Sequence, residues 1–458
     1  LAGFLPSLID LSARAPGARP AALHTLYVSP LKALATDVAR NLSTPVAEMG
    51  LDLSIEIRTG DPSASRRQRQ RARPPDFLLT TPEQLALLIA SEHADIFFRD
   101  LRAVIVDEVH AIASGKRGDL LALGIATLRK WAPAARVIGL SATVRDPASL
   151  ARWLGPDTPI IRHRGGASAN LQVLDSEARI PWSGHSARHA VPEIYDAIRS
   201  ARMALVFVNT RSQAEVMFQE LWRVNEDGLP IALHHGSLDV EQRRKVEAAM
   251  AAGVLKAVVC TSTLDLGIDW GDVDLVIQVG APKGSSRLIQ RIGRSNHRMD
   301  EPSRALLAPS NRFEVMECRA AVEAVEAGGL HRAPPPRGGI YARAQHVMGR
   351  ACGEGFDALK LYDEIRLAAP YADLDWETWE RVVDFVATGG YALRTYDRFR
   401  RIVRFPDGIW RARNDDVRRQ HRMNVGTIVA DPMVTVRLAS FIGGKRNPGE
   451  ARANALRP

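Results

Sequence analysis

Short runs of consecutive apolar residues recur along the first two thirds of the chain, each followed by apolar residues at helical spacing. The first series is "TLYVS" (25–29), "DFLLTT" (76–81), "AVIVDE" (103–108) and "RVIGLSAT" (136–143). Unbroken rather than alternating apolar character predicts strands buried on both faces, as in a parallel sheet. Between them, "EQLALLIASE" and "DLLALGIATLRKWA" carry a helical period. Strand and helix in alternation predict an α/β domain over residues 1–160.

From 161 to 188 the pattern loosens into Pro-, Gly- and Ser-bearing sequence, which reads as a linker. A second series follows over 189–330, with "ALVFVNT" (204–210), "IALHHG" (231–236), "KAVVCT" (256–261), "LVIQVG" (275–280) and "ALLAPS" (305–310). The two halves look like one architecture used twice, without a direct sequence repeat. "HRAPPPRGG" (331–339) is a stiff boundary. Beyond it, two helical patterns and strand-like "FRRIVRFPDGIWRA" predict a winged-helix module over 337–415. Trp376, Trp379 and Tyr391 read as packing residues of that module, while Trp410 and Tyr396 are open to base stacking. "MNVGTIVADPMVTVRLASF" predicts the start of a β-rich domain within 420–458.

Composition narrows the classes. A chain of 458 residues needs two to four cores. Apolar residues at 46% and charged residues at 25% are the balance of a soluble globular protein. The net charge of +9 favours polyanion partners. Cys260, Cys318 and Cys352 are too few and too scattered for a disulfide framework or a zinc site, which fits a reducing cytoplasm. No run reaches the roughly 18 apolar residues of a membrane helix, and no membrane association is expected. The start "LAGFLPSLIDL" lacks a basic flank and reads as a core-facing helix rather than a signal peptide.

The candidate chemistry lies in "VIVDEVHAIASGKRG" (104–118), where a buried strand delivers Asp107 and Glu108 to its carboxyl end. Ligands of open α/β sheets bind at that edge. Asp107 suits magnesium held through water, and Glu108 suits orienting the water that attacks a nucleotide phosphate. An isolated Asp-Glu pair is usually a solvated strand cap, so the reading needs further motifs. Phosphate binding normally needs G-x-x-x-x-G-K-[ST], and none occurs in the 458 residues. "SGKRG" (114–118) and "GGKRN" (443–447) lack both the spaced first glycine and the hydroxyl after the lysine.

The order of motifs resembles the superfamily 2 DExH-box helicases, and among them the large helicase-related (Lhr) family. "YVSPLKALATDVARNL" is similar to that group's motif Ia, "DEVH" to motif II and "SAT" (141–143) to motif III. "RTGD" (58–61) and "TTPEQL" (80–85) resemble its further strand-contacting elements. "VFVNTRSQAE" resembles motif IV, "TSTLDLGIDWGDVDLVIQ" motif V and "QRIGRSNHR" (290–298) motif VI. "YARAQHVMGRAC" and "LYDEIRLAAPYADLDWETWERVVDF" resemble the family's winged helix, nearest to the bacterial ligase-associated branch. The resemblance covers roughly residues 1 to 440. It implies two tandem RecA-like parallel-sheet domains, the winged helix and the beginning of a β-rich domain. In this family the helix after the phosphate loop reads much like "LAGFLPSL", so the expectation is a chain that starts just past that loop and hydrolyses ATP poorly by itself.

The resemblance also implies roles. Asp107, Glu108 and His110 form the hydrolytic strand end. His110 couples it to motif III or VI. Ser141 and Thr143 link the phosphate site to the facing domain. Gly267 allows close approach and Asp269 accepts from the ribose or pairs with an arginine. Arg294 meets developing phosphate charge from across the cleft, supported by Gln290 and Arg291. The eighth position of motif VI holds His297 in place of arginine, with Arg298 next. Ser29, Pro30, Lys32, Gly60 and Thr81 in the first half, and Asn209, Arg211, Gly236 and Thr261 in the second, contact the nucleic-acid backbone. "SRRQRQRAR" (65–73) reads equally as a strand-tracking run or a solvated helix face.

These expectations amount to an ATP- and magnesium-dependent motor that moves 3′-to-5′ on single-stranded DNA. It would unwind DNA or RNA:DNA duplexes, in repair and with repair proteins as partners. The rivals are a nucleic-acid-binding scaffold that has abandoned ATP, an RNA helicase, and the translocase subunit of a nuclease.

Overall fold

The computed structural model of the chain describes residues 2–14, 22–60, 64–141, 144, 146–162, 169–265, 273–295, 302–327 and 337–425. A parallel sheet forms the first lobe, with β1 (Thr25–Val28), β2 (Ile55–Arg58), β3 (Phe77–Thr80), β4 (Ala103–Val106) and β5 (Arg136–Gly139) in the order β2-β3-β1-β4-β5. The inner strands β1, β3 and β4 are buried at every position, as unbroken apolar runs require. β2 escapes the pattern search because charged residues interrupt its isoleucines. It is the sheet edge, and the helix Ala64–Ala72 covers it. Gln70 of that helix is fully buried and bonds Glu56 at 2.7 Å, while Arg66 and Arg69 pair with Glu56 at 3.6 and 3.3 Å. The basic run therefore closes an open edge.

The second lobe is a parallel sheet of β6 (Asn170–Val173), β7 (Met203–Phe207), β8 (Ile231–His234), β9 (Ala257–Cys260), β10 (Val273–Val279) and β11 (Arg304–Ala308), ordered β6-β11-β10-β7-β9-β8. β6 lies inside the segment read as a linker. It pairs with β11 from Asn170↔Arg304 to Val173↔Leu307, and its half-exposed edge position explains its weak apolar signal.

The winged helix comprises helices Ile340–Cys352, Ala358–Arg366 and Trp376–Thr388 and an antiparallel hairpin, β12 (Ile402–Arg404) with β13 (Trp410–Ala412). A further helix, Asp415–Met423, occupies the start of the expected β-rich unit. The remainder of that expectation, 426–458, lies outside the described residues. Trp379 is fully buried, as packing requires. Tyr391 is not a packing residue. It is 99% exposed, because Gly389 and Gly390, both at positive φ, turn the chain outward just before it.

The winged helix shares one apolar core with the first lobe. Helix Lys116–Trp131 lies between them and is buried at every position from Gly118 to Leu128. An added Cβ at Gly118 would sit 2.4 Å from the Ile112 carbonyl, so the second glycine of "SGKRG" serves close packing. Polar groups bridge the same seam. Thr127 donates to Glu364 at 2.6 Å, Arg350 pairs with Glu364 and lies over Trp131, and the Gly339 N–H donates to Asp119 at 2.9 Å. All three cysteines are buried thiols. Among the described residues no helix is long and apolar enough to cross a membrane.

Candidate nucleotide and nucleic-acid site

β4 runs into Asp107, whose N–H still follows the ladder by donating to the Val28 carbonyl at 2.9 Å. One carboxylate oxygen of Asp107 accepts from the Glu108 N–H at 2.8 Å and the other from the Tyr27 hydroxyl. Burial, then the neighbouring Asp107 carboxylate, raises the Tyr27 phenol far above its ordinary value, so it remains a donor. Phe4 stacks on the Tyr27 ring at 5.3 Å and fixes it. Glu108 adopts a left-handed backbone, φ 47° and ψ 43°, as it opens the short helix Val109–Ile112. Such a conformation is costly for a residue with a side chain and concentrates at functional sites.

His110 is the junction of the site. Its Nδ1 is 3.1 Å from the Ser141 hydroxyl, its Nε2 is 3.4 Å from Glu108, and the Gln290 amide touches Nε2. A neutral ring with its proton on Nδ1 donates to Ser141 and accepts from Gln290. Gln290 belongs to the second lobe, on helix Ser285–Ile292 after β10. The carboxyl ends of β4 and β10 therefore face each other across one cleft. Arg294 follows one turn after Gln290, half-buried, with Nε 3.4 Å from the Gln290 carbonyl.

Arg291 lies inside the second lobe. It is 1% exposed and its guanidinium is enclosed by residues of that lobe. Its Nε donates to Asp265 at 2.8 Å, another nitrogen donates to Gln278, and the guanidinium lies 4.7 Å from the Phe207 ring. Successive helix positions lie about 100° apart, so Gln290 and Arg291 cannot both face the phosphates. Thr143, Gly267, Asp269, His297 and Arg298 lie outside the described residues.

Asp107 has one hydrogen bond on each oxygen, which leaves lone pairs for the water shell of a magnesium ion. Glu108 beside it suits orienting a water. These residues fit a magnesium–nucleotide, although no loop of the usual kind for its outer phosphates occurs in the sequence.

The expected strand-contacting residues gather at the carboxyl edges of both sheets, but not all offer side chains. Ser29 and Pro30 are buried, and the Ser29 hydroxyl bonds the Leu31 backbone, donating to its carbonyl at 3.0 Å. They shape the turn that starts helix Lys32–Glu48. Thr81 is buried as the residue before helix Pro82–Ile89. Lys32 is exposed, with its ammonium 3.2 Å from where a Cβ on Gly60 would be. In the second lobe Arg211 is exposed at the start of helix Arg211–Arg223, against Gly236. Asn209 donates to the Ala281 carbonyl at 2.9 Å, and its carbonyl oxygen is buried without a partner among the described residues. Thr261 is buried where β9 turns into Ser262–Leu264. Thus Lys32, Gly60, Arg211 and Gly236 present contact surface, and the others hold the loops. Tyr27, Asp265 and Gln278 were missed. A polar residue inside a buried run, as in "TLYVS", "TLDLG" and "LVIQVG", is the signal that could have found them.

Comparison with known proteins agrees with this arrangement. Residues 1–150 match the DEAD/DEAH box helicase family, 187–299 the helicase conserved C-terminal domain, and 323–448 the winged helix domain of large helicase-related protein. The chain is similar to the Lhr helicase/probable uracil glycosylase of Mycolicibacterium smegmatis, with 35% identity over 80% of this chain and 27% of the relative. It is also similar to the ATP-dependent helicase Lhr-Core of Methanocaldococcus jannaschii, with 32% identity over 90% of this chain and 50% of that protein. The chain thus spans about half or less of these curated relatives. The solved structure of Mycobacterium smegmatis helicase Lhr bound to ssDNA and AMP-PNP superposes with a TM-score of 0.81 at 35% identity, covering 96% of this chain and 58% of that one.

Proposed function

Because the chain belongs to the Lhr family of DEAD/DEAH-box superfamily 2 helicases, we propose that it is the motor portion of an ATP-dependent DNA helicase that translocates on a single strand. The observation that carries this reading is the Gln290–His110 contact, which brings motif VI of one lobe onto motif II of the other beside Glu108. The similar mycobacterial protein was solved with ssDNA and AMP-PNP, which supports the same ligands here.

Glu108 orients the attacking water and accepts its proton. Asp107 holds the magnesium ion, which when bound neutralises phosphate charge. Arg294 stabilises charge that develops on the transferred phosphoryl group. The His110–Gln290 bond, the one of the two that crosses between the lobes, makes the constellation depend on their being closed, while the His110–Ser141 bond holds the ring within the first lobe. Lys32 with Gly60, and Arg211 with Gly236, grip strand backbone, so binding has little sequence preference and strong salt dependence. The family resemblance supports 3′-to-5′ movement, unwinding of DNA or RNA:DNA duplexes, a repair role, and a place near the bacterial ligase-associated branch.

The test uses the intact protein, because these 458 residues contain no phosphate loop and are expected to hydrolyse ATP weakly alone. Duplexes with a 3′ or a 5′ tail are offered with ATP. The expected outcome is unwinding of the 3′-tailed substrate, with Glu108→Gln lowering hydrolysis at least ~100-fold while nucleotide still binds. Sustained turnover by Glu108→Gln, or no strand separation on either tail, would refute the reading.

A further inference from the structure

Helix Ser285–Ile292 sends the consecutive side chains Gln290 and Arg291 in different directions, about 100° apart. Gln290 reaches the hydrolytic His110 across the cleft. Arg291 enters the lobe beneath the strand-contacting loops. There its guanidinium meets three elements. It stacks on Phe207, the last residue of β7, two residues before Asn209 and four before Arg211. It donates to Gln278 in β10, whose amide in turn donates to the Gly280 carbonyl at 3.0 Å. It bonds Asp265, the residue that ends the Ser262–Leu264 turn after β9, through Nε at 2.8 Å and a second nitrogen at 3.5 Å. Thr263 of that turn bonds His234 Nδ1 at 2.9 Å, at the end of β8 and two residues before Gly236. The carboxyl ends of β7, β8, β9 and β10 are thus joined to one buried guanidinium, one position away from the residue that touches the nucleotide wall.

We propose that the Asp265–Arg291 pair, with Gln278, is a positioning device that couples the nucleotide cleft to the strand-gripping edge of the second lobe. This rests on the function proposed above. The pair does not touch phosphate. Its bidentate geometry and near-complete burial leave it one arrangement, so a shift of helix Ser285–Ile292 when the cleft closes carries the β9 turn with it, and Gly236 through His234–Thr263. A loosely hydrated ion pair could absorb such a shift. This one is 1% and 6% exposed and has no slack.

A double-variant experiment separates coupling from folding. Removing either partner leaves the other buried and unpaired, which destabilises for trivial reasons. Replacing both with apolar residues of similar volume often restores stability. In the intact protein, Asp265→Leu with Arg291→Met is compared with wild type for melting temperature, KM for ATP, and hydrolysis rate with and without single-stranded DNA. The expected result is a melting temperature recovered relative to each single change and a KM near wild type. The stimulation by DNA falls about 10-fold, the scale of a typical coupling between sites. Asp265→Glu, which keeps the carboxylate, retains more stimulation than Asp265→Asn. A double variant with full stimulation would overturn the proposal and make the pair merely structural. A double variant that stays unstable is read through Asp265→Glu against Asp265→Asn, where equal stimulation overturns it as well. Wild-type protein without DNA-stimulated hydrolysis would instead overturn the underlying function, and this inference with it.

Discussion

Asp107 and Glu108 are adjacent in sequence, yet their surroundings divide the labour. Asp107 is anchored on both oxygens, whereas Glu108 sits on a left-handed backbone with its carboxylate 3.4 Å from His110 Nε2. Tyr27 is the residue that makes Asp107 rigid. Tyr27→Phe removes that donor and leaves the ring packing with Phe4, so the fold should lose only about 1 kcal/mol. ATP turnover should fall about 10-fold, and its magnesium requirement should rise. Denaturant melts beside a magnesium titration of the rate check both. None of this was read from "TLYVS", where tyrosine passes for one more apolar strand residue unless its hydroxyl inside a buried run is taken as the signal. That the carboxylates, His110 and Gln290 come together was anticipated from motif order, even though each motif is weak alone. That Arg291 lies on a different face from Gln290 was not legible, because neighbours in a motif need not share a face of a helix.

At the scale of elements, the contrast lies between loops that present side chains and loops that only hold shape. Arg211 opens its helix exposed, behind a capping box in which Thr210 accepts from the Gln213 N–H at 3.2 Å. Arg211→Ala should weaken single-strand binding across all sequences and reduce the slope of log affinity against log salt by about 1. Ser29→Ala removes no charge and should leave that slope unchanged, while lowering stability by about 1 kcal/mol through the lost turn bonds. Fluorescence anisotropy over a salt series distinguishes the two. The inner strands announced themselves because burial on both faces demands unbroken apolar runs. Of the edge strands, β5 and β8 were found from their apolar runs, but β2 and β6 were not. Polar residues broke both runs: β2 went unread except for Arg58 at the head of "RTGD", and β6 was read as linker.

At the scale of the molecule, the seam between the first lobe and the winged helix is polar at its centre. Burial, then the nearby Arg350 and His421, pushes His346 down to about 3, and burial with Arg401 and Arg422 lowers His421 to about 4. Histidines kept neutral in the fold favour it most above their ordinary value of 6.5. As pH falls from 6.5 towards 4 the unfolded chain takes up protons that the folded one refuses, so stability declines across that window. The melting temperature should drop between pH 6.5 and 4.5, and His346→Gln should flatten the decline. Glu364→Ala strands Arg350 and Thr127 in the same seam and should cost about 3–5 kcal/mol, measured by denaturant unfolding. The presence of a winged helix was legible from two helical patterns and a hairpin. Its fusion with the first lobe was not, because a helix that is apolar on every side, such as Lys116–Trp131, does not say what covers each face.

That fusion has a mechanical meaning. A module whose interior is continuous with its neighbour cannot rock at the join, since interiors deform little. In the motor proposed above, the first lobe and the winged helix would act as a stator, and the second lobe as the part that swings. A covalent staple between the second lobe and the winged helix would therefore arrest the engine as completely as one placed directly across the mouth that holds the fuel.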